Sequence, residues 1–264
     1  MLELIQNVDD NAYDNPVPTL TITYKHRCLY ISSNEVGFKK TNVEALCRIG
    51  RSTKHGLDHT TRCIGEKGIG FKSVFKVADA VWINSGKYSF KFDKREKLGM
   101  IAPIWVADFP GKLATGFTSI MLQLSTEYDE TGLIREIKLL DPRLLVFLRK
   151  LRRIKLSILE HDGNSWQTTY ERHDERSWNN DQQLVKLQRG GKPLHYIVTR
   201  YLVDQLPTEP NRPGCAQSEI LLGFPVTESD AAEIISQEVY AFLPIRDYGF
   251  KVRFFYYCVL ELTR

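Results

Sequence analysis

The sequence is poor in the features that would place it quickly. No apolar run approaches the roughly 18 residues that a membrane-spanning helix needs. The opening MLELIQNVDD is acidic and has no basic n-region, so it does not read as a signal peptide. The five cysteines (Cys28, Cys47, Cys63, Cys215, Cys258) are odd in number, scattered, and form no C-x-x-C. That usage predicts a reducing compartment rather than a disulfide framework, and the expected location is intracellular, cytoplasmic or nuclear. Charge of one sign is not in large excess: the net charge is +4, with 26% charged residues, too mild to argue for a nucleic-acid or membrane partner. There is no internal repeat and no low-complexity tract. No Ser/His/Asp order suggests a hydrolase, and no histidine sits in the context of a phosphoacceptor helix. Tyrosine and phenylalanine are plentiful, yet nothing resembles an RNA-binding aromatic platform.

What is present is a mixture of helix-like and strand-like segments. Residues 2–13 predict a helix with Leu2, Ile5, Val8 and Ala12 on one side, ended by Asn15-Pro16-Val17-Pro18. TLTITYK and CLYIS alternate as paired strands, and AVWINS, YSFKFD and FTSIMLQLS read as further strands. VEALCRI carries a short helical pattern, and Lys72 to Ala80 reads as a helix. Asp141-Pro142 opens another, LLVFLRKLRR, with Asp as cap and Pro in the first turn. IKLSILEHD, SWQTTYERHD, HYIVTRYLV and SEILLGFPV follow as strands. Without βαβ regularity the expected class is α+β, with a soft boundary between residues 160 and 195.

Two local patterns carry chemistry. GEKGIGFKSVFKV, residues 65–77, places Gly65, Gly68 and Gly70 ahead of apolar positions. It is not a P-loop, because Phe71 displaces the lysine by one position to Lys72. Nor is it a dinucleotide fingerprint, because Ser73 stands at the third glycine. G-x-x-G-x-G before a helix still allows backbone N–H groups to approach phosphate oxygens; a plain glycine turn is the competing account. Upstream, Glu3, Asn7 and Asp10 stand at i, i+4 and i+7, one polar stripe on a helix. A solvated face explains such a stripe. The alternative is joint work: an amide oxygen for Mg²⁺ from Asn7 and a carboxylate to activate water from Glu3.

ELIQNVDDN (3–11), NEVGF (34–38), IGRSTK (49–54), IGEKGIGFKSVFKV (64–77) and FLPIRDYGF (242–250) together resemble the gyrase, heat-shock chaperone, histidine kinase and MutL (GHKL) ATPase superfamily. More closely they resemble its sacsin and NO VEIN-like branch. The resemblance implies a two-layer α/β sandwich of the GHKL ATPase type, followed by part of a second α/β domain. Residues 1–160 would be an N-terminally clipped ATP-binding domain, and 161–264 a linker and partial middle, transducer-like domain. It implies ATP and Mg²⁺ as cofactors, with Glu3 activating water, Asn7 holding the metal and Asp10 lining the pocket. Gly65, Gly68 and Gly70 would wrap phosphates, and Lys67 or Lys72 would add charge. Ser52, Thr53 and Lys54 are the lid contacts, and Thr118 backs the adenine. The second motif departs from the D-x-G-x-G pattern. Gly37 fits its second glycine, Ser33 stands at the aspartate position, and Asn34 or Glu35 could replace the base acceptor. Nine basic side chains against three acidic ones between residues 39 and 76 suit a triphosphate; a solvated basic loop has the same composition. The expected activity is a weak Mg²⁺-dependent ATPase with a nucleotide-gated lid, with protein clients or self-association as partners. The alternative is a catalytically inactive scaffold or interaction module of the same fold.

Relatives carry a helix and a strand before the first motif, so Met1 directly ahead of it, and an ending inside the second domain, read as a fragment. Three further patterns remain. His55, His59 and Cys63, with Cys47 upstream, have zinc-like spacing but are interrupted by Gly56. RKLRRIK (149–155) reads as a helix with a solvated basic face rather than a nucleic-acid contact. Arg246 is a candidate for the γ-phosphate sensor, though a turn arginine is the plainer reading.

Overall fold

The computed structural model describes residues 1–47, 71–205 and 218–234, with the backbone of 238–241, 243–247 and 253–256. The chain divides into two compact units: Met1–Asp141 with Arg149–Thr169, and Pro142–Leu148 with Tyr170–Arg264.

The first unit is built on a mixed sheet. TLTITYK forms β1 (Thr19–Lys25), which pairs antiparallel with β2 (Cys28–Ser33). Alternation sends Leu20, Ile22 and Tyr24 inward from β1, and Leu29 and Ile31 from β2. The ladder continues as β2, β6 (Thr118–Leu124), β3 (Ala78–Ser85), β4 (Tyr88–Asp93) and β5 (Ile104–Trp105), all antiparallel. On its other side β1 runs parallel to β7 (Arg153–Leu159). Helix α1 (Leu2–Asp9) buries Ile5 and Val8, and α2 (Lys40–Cys47) buries Val43. Helix α3 (Glu130–Lys138), which has no counterpart in the sequence reading, is capped by the Asp129 carboxylate, accepting from the Thr131 N–H; it buries Leu133 and Ile137.

In the second unit, β8 (Ser165–Ser177, which enters this unit at Tyr170), β9 (Gln182–Gln188), β10 (Leu194–Val203) and β11 (Ser218–Val226) form an antiparallel ladder. Strand β14 (Arg253–Tyr256) is antiparallel to β11, β12 (Glu238–Ala241) parallel to β14, and β13 (Leu243–Asp247) antiparallel to β12. Arg246 lies in β13 opposite Val239. Tyr170, Val185, Leu187, Tyr196 and Val198 supply the core, with Leu145, Val146 and Phe147.

This architecture corrects the expected fold class. The described residues hold fourteen strands but only three α-helices of eight or nine residues, with two short 3-10 helices. Large mixed sheet predominates, and the two-layer α/β sandwich does not stand. Two expected helices shrink for identifiable reasons. Phe71–Lys76 forms a 3-10 helix, because the chain from Ala78 on is strand β3, with Ala78, Ala80, Val81 and Ile83 buried. LLVFLRKLRR keeps only the 3-10 turn Pro142–Val146. An α-helix there needs its own N–H and C=O groups for i to i−4 bonds. Instead the Arg172 guanidinium Nη1 donates to the carbonyls of Leu145, Val146 and Leu148 at 2.9, 2.9 and 3.0 Å. The N–H groups of residues 149–151 go to another side chain, Asp9.

Candidate functional site

Helix α1 sorts its polar residues onto two faces. At 100° per residue, buried Ile5, Val8 and Asp9 share one side. Exposed Glu3 and half-buried Asn7 and Asp10 lie on the other. The predicted stripe therefore exists, and it looks away from the apolar side of the helix. The helix stops at Asp9, four residues short of expectation, and Ala12 is exposed rather than inward.

The inward acid is Asp9, 1% exposed. Its carboxylate accepts from the main-chain N–H groups of Arg149, Lys150 and Leu151 at 2.9, 2.9 and 2.8 Å. The Lys150 ammonium adds bonds to the carbonyls of Asp10 and Asn11, 3.0 and 2.6 Å, a cation at the negative end of the helix. Sequence reasoning missed Asp9 in favour of its neighbour. The signal was available: four residues after Ile5, Asp9 falls on the apolar face, where a carboxylate must be paired.

The segment after β2 is tied to this end of α1. The Val36 N–H donates to the Ala12 carbonyl at 2.9 Å. Tyr13 donates its hydroxyl to the Val8 carbonyl at 2.7 Å. Burial pushes the Tyr13 phenol up, and the Glu35 and Asp9 carboxylates push the same way against a hydrogen bond from Ser33. It therefore stays protonated. Glu35 is itself buried, at 6% exposure. Asn34 serves the backbone: its Oδ1 accepts from the Thr19 N–H at 2.7 Å, and its Nδ2 donates to the Val17 carbonyl at 3.0 Å.

Gly37 adopts φ +88°, a region open to glycine and strained for other residues. A Cβ there would stand 3.5 Å from Ser85 Oγ. Phe38 N–H donates to that same Oγ at 2.8 Å, and Ser85 Oγ lies 2.6 Å from Thr118 Oγ1. Ser33 pairs with Thr118 in register. Ser33, Ser85, Thr118 and Ser119 are all buried, so one end of three strands is lined with hydroxyls beside the 33–38 segment. Glu35, Gly37 and Thr118 are thus brought to one region, together with Asp9, Tyr13 and Ser85, which were not singled out. For Ser85, closing an ordinary strand pattern, the sequence held no signal.

Lys72 does not stand ready for phosphate. Its ammonium donates to the Met100 carbonyl and lies 4.6 Å from the Phe92 ring centroid, and burial lowers its pKa. The 3-10 helix that carries it packs on α1. Ser52, Thr53, Lys54, Gly65, Lys67, Gly68 and Gly70 lie outside the described residues, as do His55, His59 and Cys63. Among the described residues no group of three or more His, Cys, Asp or Glu side chains could hold a metal. Asn7 with Glu3 one turn away suits only an ion that takes most of its ligands from phosphate and water, as Mg²⁺ does.

Set against known proteins, the chain is similar to one curated plant protein. It is 32% identical over 275 residues to Protein NO VEIN of Arabidopsis thaliana, a match covering 95% of this chain. The chain spans about a tenth of the length of that curated relative, 10% of it. No protein-family model matches. Among the described residues no helix is long and apolar enough to cross a membrane.

Proposed function

We propose that this chain binds Mg-ATP and hydrolyses it slowly, using motifs like those of the chaperone-like GHKL ATPases. The layered sandwich of that superfamily is no part of the proposal. One observation carries it: the 33–38 segment meets Thr118 through the Ser85 hydroxyl, and meets the end of α1 through Val36 and Tyr13. Residues far apart in sequence, assigned by resemblance to one nucleotide pocket, are neighbours. Gly37 and Thr118 face the base with Glu35 beside them, and Asp10 lines the pocket. Asn7 would supply one oxygen to magnesium, and Glu3 would polarise the attacking water. By the resemblance, Gly65, Gly68 and Gly70 with Lys67 would take the phosphates, and Ser52, Thr53 and Lys54 would be the lid contacts. Bound magnesium would neutralise charge on the phosphate oxygens.

Glu3→Ala is expected to keep ATP affinity within about twofold and to lower turnover by the 10²–10⁴-fold typical of a lost general base, measured by phosphate release. A variant that hydrolyses ATP at the wild-type rate removes Glu3 from the chemistry.

A second reading, an interaction module without nucleotide turnover, is favoured by Asn34. Its carboxamide is spent on Thr19 and Val17, so it is not free to read a base. Mg-ATP calorimetry separates the two readings, since the scaffold gives neither heat nor a thermal shift.

A further inference from the structure

Ser85 is fully buried, at 0% exposure, and its oxygen bridges the 33–38 segment and β6. It accepts from the Phe38 N–H and shares a hydrogen with Thr118 across 2.6 Å. Two hydroxyls bring two hydrogens to this pair, and only one can lie between the oxygens. The other is left over, and which residue carries it decides what the pair offers to a ligand.

We propose that Ser85 is a positioning residue that makes Thr118 a hydrogen-bond donor toward the nucleotide base, an inference that rests on the nucleotide-binding reading above. A hydroxyl that accepts from an amide N–H is polarised and becomes the better donor. Phe38 N–H polarises Ser85 in this way, so the shared hydrogen is the one on Ser85 and points at Thr118 Oγ1. The Thr118 hydrogen is then released toward the residue's remaining 5% exposure. The relay runs from Phe38 N–H through Ser85 O–H to Thr118 O–H. A donor at that point matches a heteroaromatic base that presents an unprotonated ring nitrogen. It disfavours one that presents a ring N–H there, which separates adenine from guanine at N1. Gly37 belongs to the same device. Its φ of +88° turns the chain so that Phe38 N–H reaches Ser85, and a side chain at this position would be strained.

The test uses the full chain with Ser85→Ala, Thr118→Val and the double variant, titrated with ATP and GTP by calorimetry. Phe38 amide exchange is followed without nucleotide. Ser85→Ala is expected to speed Phe38 exchange at least tenfold and to weaken ATP about five- to tenfold while narrowing the preference over GTP. Thr118→Val should weaken ATP by a similar factor with Phe38 still protected, and the double variant should bind no worse than Thr118→Val alone. Effects that multiply, or a Phe38 amide as protected in Ser85→Ala as in wild type, overturn the relay while leaving ATP binding intact. A wild-type chain that takes up no ATP overturns the nucleotide reading and the relay with it, a pattern distinct from the first. Should Ser85→Ala fold poorly, Thr118→Val decides alone: unchanged ATP affinity and preference overturn the relay.

Discussion

Three main-chain N–H groups converge on Asp9. Removing it leaves those donors buried without an acceptor, at about 1–3 kcal/mol for each unsatisfied group. Asp9→Ala is therefore expected to lower unfolding free energy by about 3 kcal/mol or more in urea titration; a loss under about 1 kcal/mol would contradict this role. Asp9 and Asp10 look equivalent in sequence, and only the helical phase set by Ile5 and Val8 separates the inward acid from the outward one. Asp93 gives a second prediction at this scale. The Arg95 side chain donates to both its oxygens at 2.7 Å, the largest influence holding its pKa down to about 2 against the opposing effect of burial. A depressed carboxyl stabilises the fold above its unfolded value of about 3.9. That contribution is lost as pH falls from about 4 toward about 2, and Arg95→Ala should return the carboxyl toward its ordinary value in an NMR titration. A carboxyl that titrates near 4 in the wild type would contradict the pairing.

Elements were legible where one period ruled a segment. β1, β2, β3, β4 and β6 follow from strand-like runs, with alternation burying Leu20, Ile22 and Tyr24 on one face of β1 and Leu29 and Ile31 on one face of β2. Helical periods were less reliable, because long-range partners intervened. LLVFLRKLRR has helical spacing, but Arg172 takes the carbonyls of Leu145, Val146 and Leu148, and nothing local announces an arginine arriving from a later strand. Arg172 also bonds Asp174 at 2.7 Å. Arg172→Met keeps the bulk and leaves three carbonyls without that donor. Thermal or urea unfolding should show a loss of about 2–4 kcal/mol, and an unchanged midpoint would mean that these bonds add nothing. Helix α3 was missed although Asp129 and the Leu133/Ile137 pair are a cap and an i, i+4 apolar step. Gly132 and Thr131, poor helix formers, obscured it.

At the scale of the whole molecule, the sequence motifs and the sheet answer different questions. The resemblance led to an expected α/β sandwich, whereas the chain builds its two units on mixed sheet. Class was misjudged because the described motif residues 3–9 and 34–38 lie in one short helix and a loop, which say little about the strands between them. The candidate site was partly legible: Glu35, Gly37 and Thr118 are assembled through partners such as Ser85 that motif reading does not supply. The central claim is that the 33–38 segment, Thr118 and α1 serve one nucleotide. Calorimetric titration of the chain with Mg-ATP tests it most directly, paired with a thermal melt. The account predicts saturable heat at one site, weakened about five- to tenfold by Thr118→Val, and a stabilisation of about 1.4 kcal/mol at tenfold excess over Kd. No heat and an unmoved melting curve at millimolar ATP would contradict it.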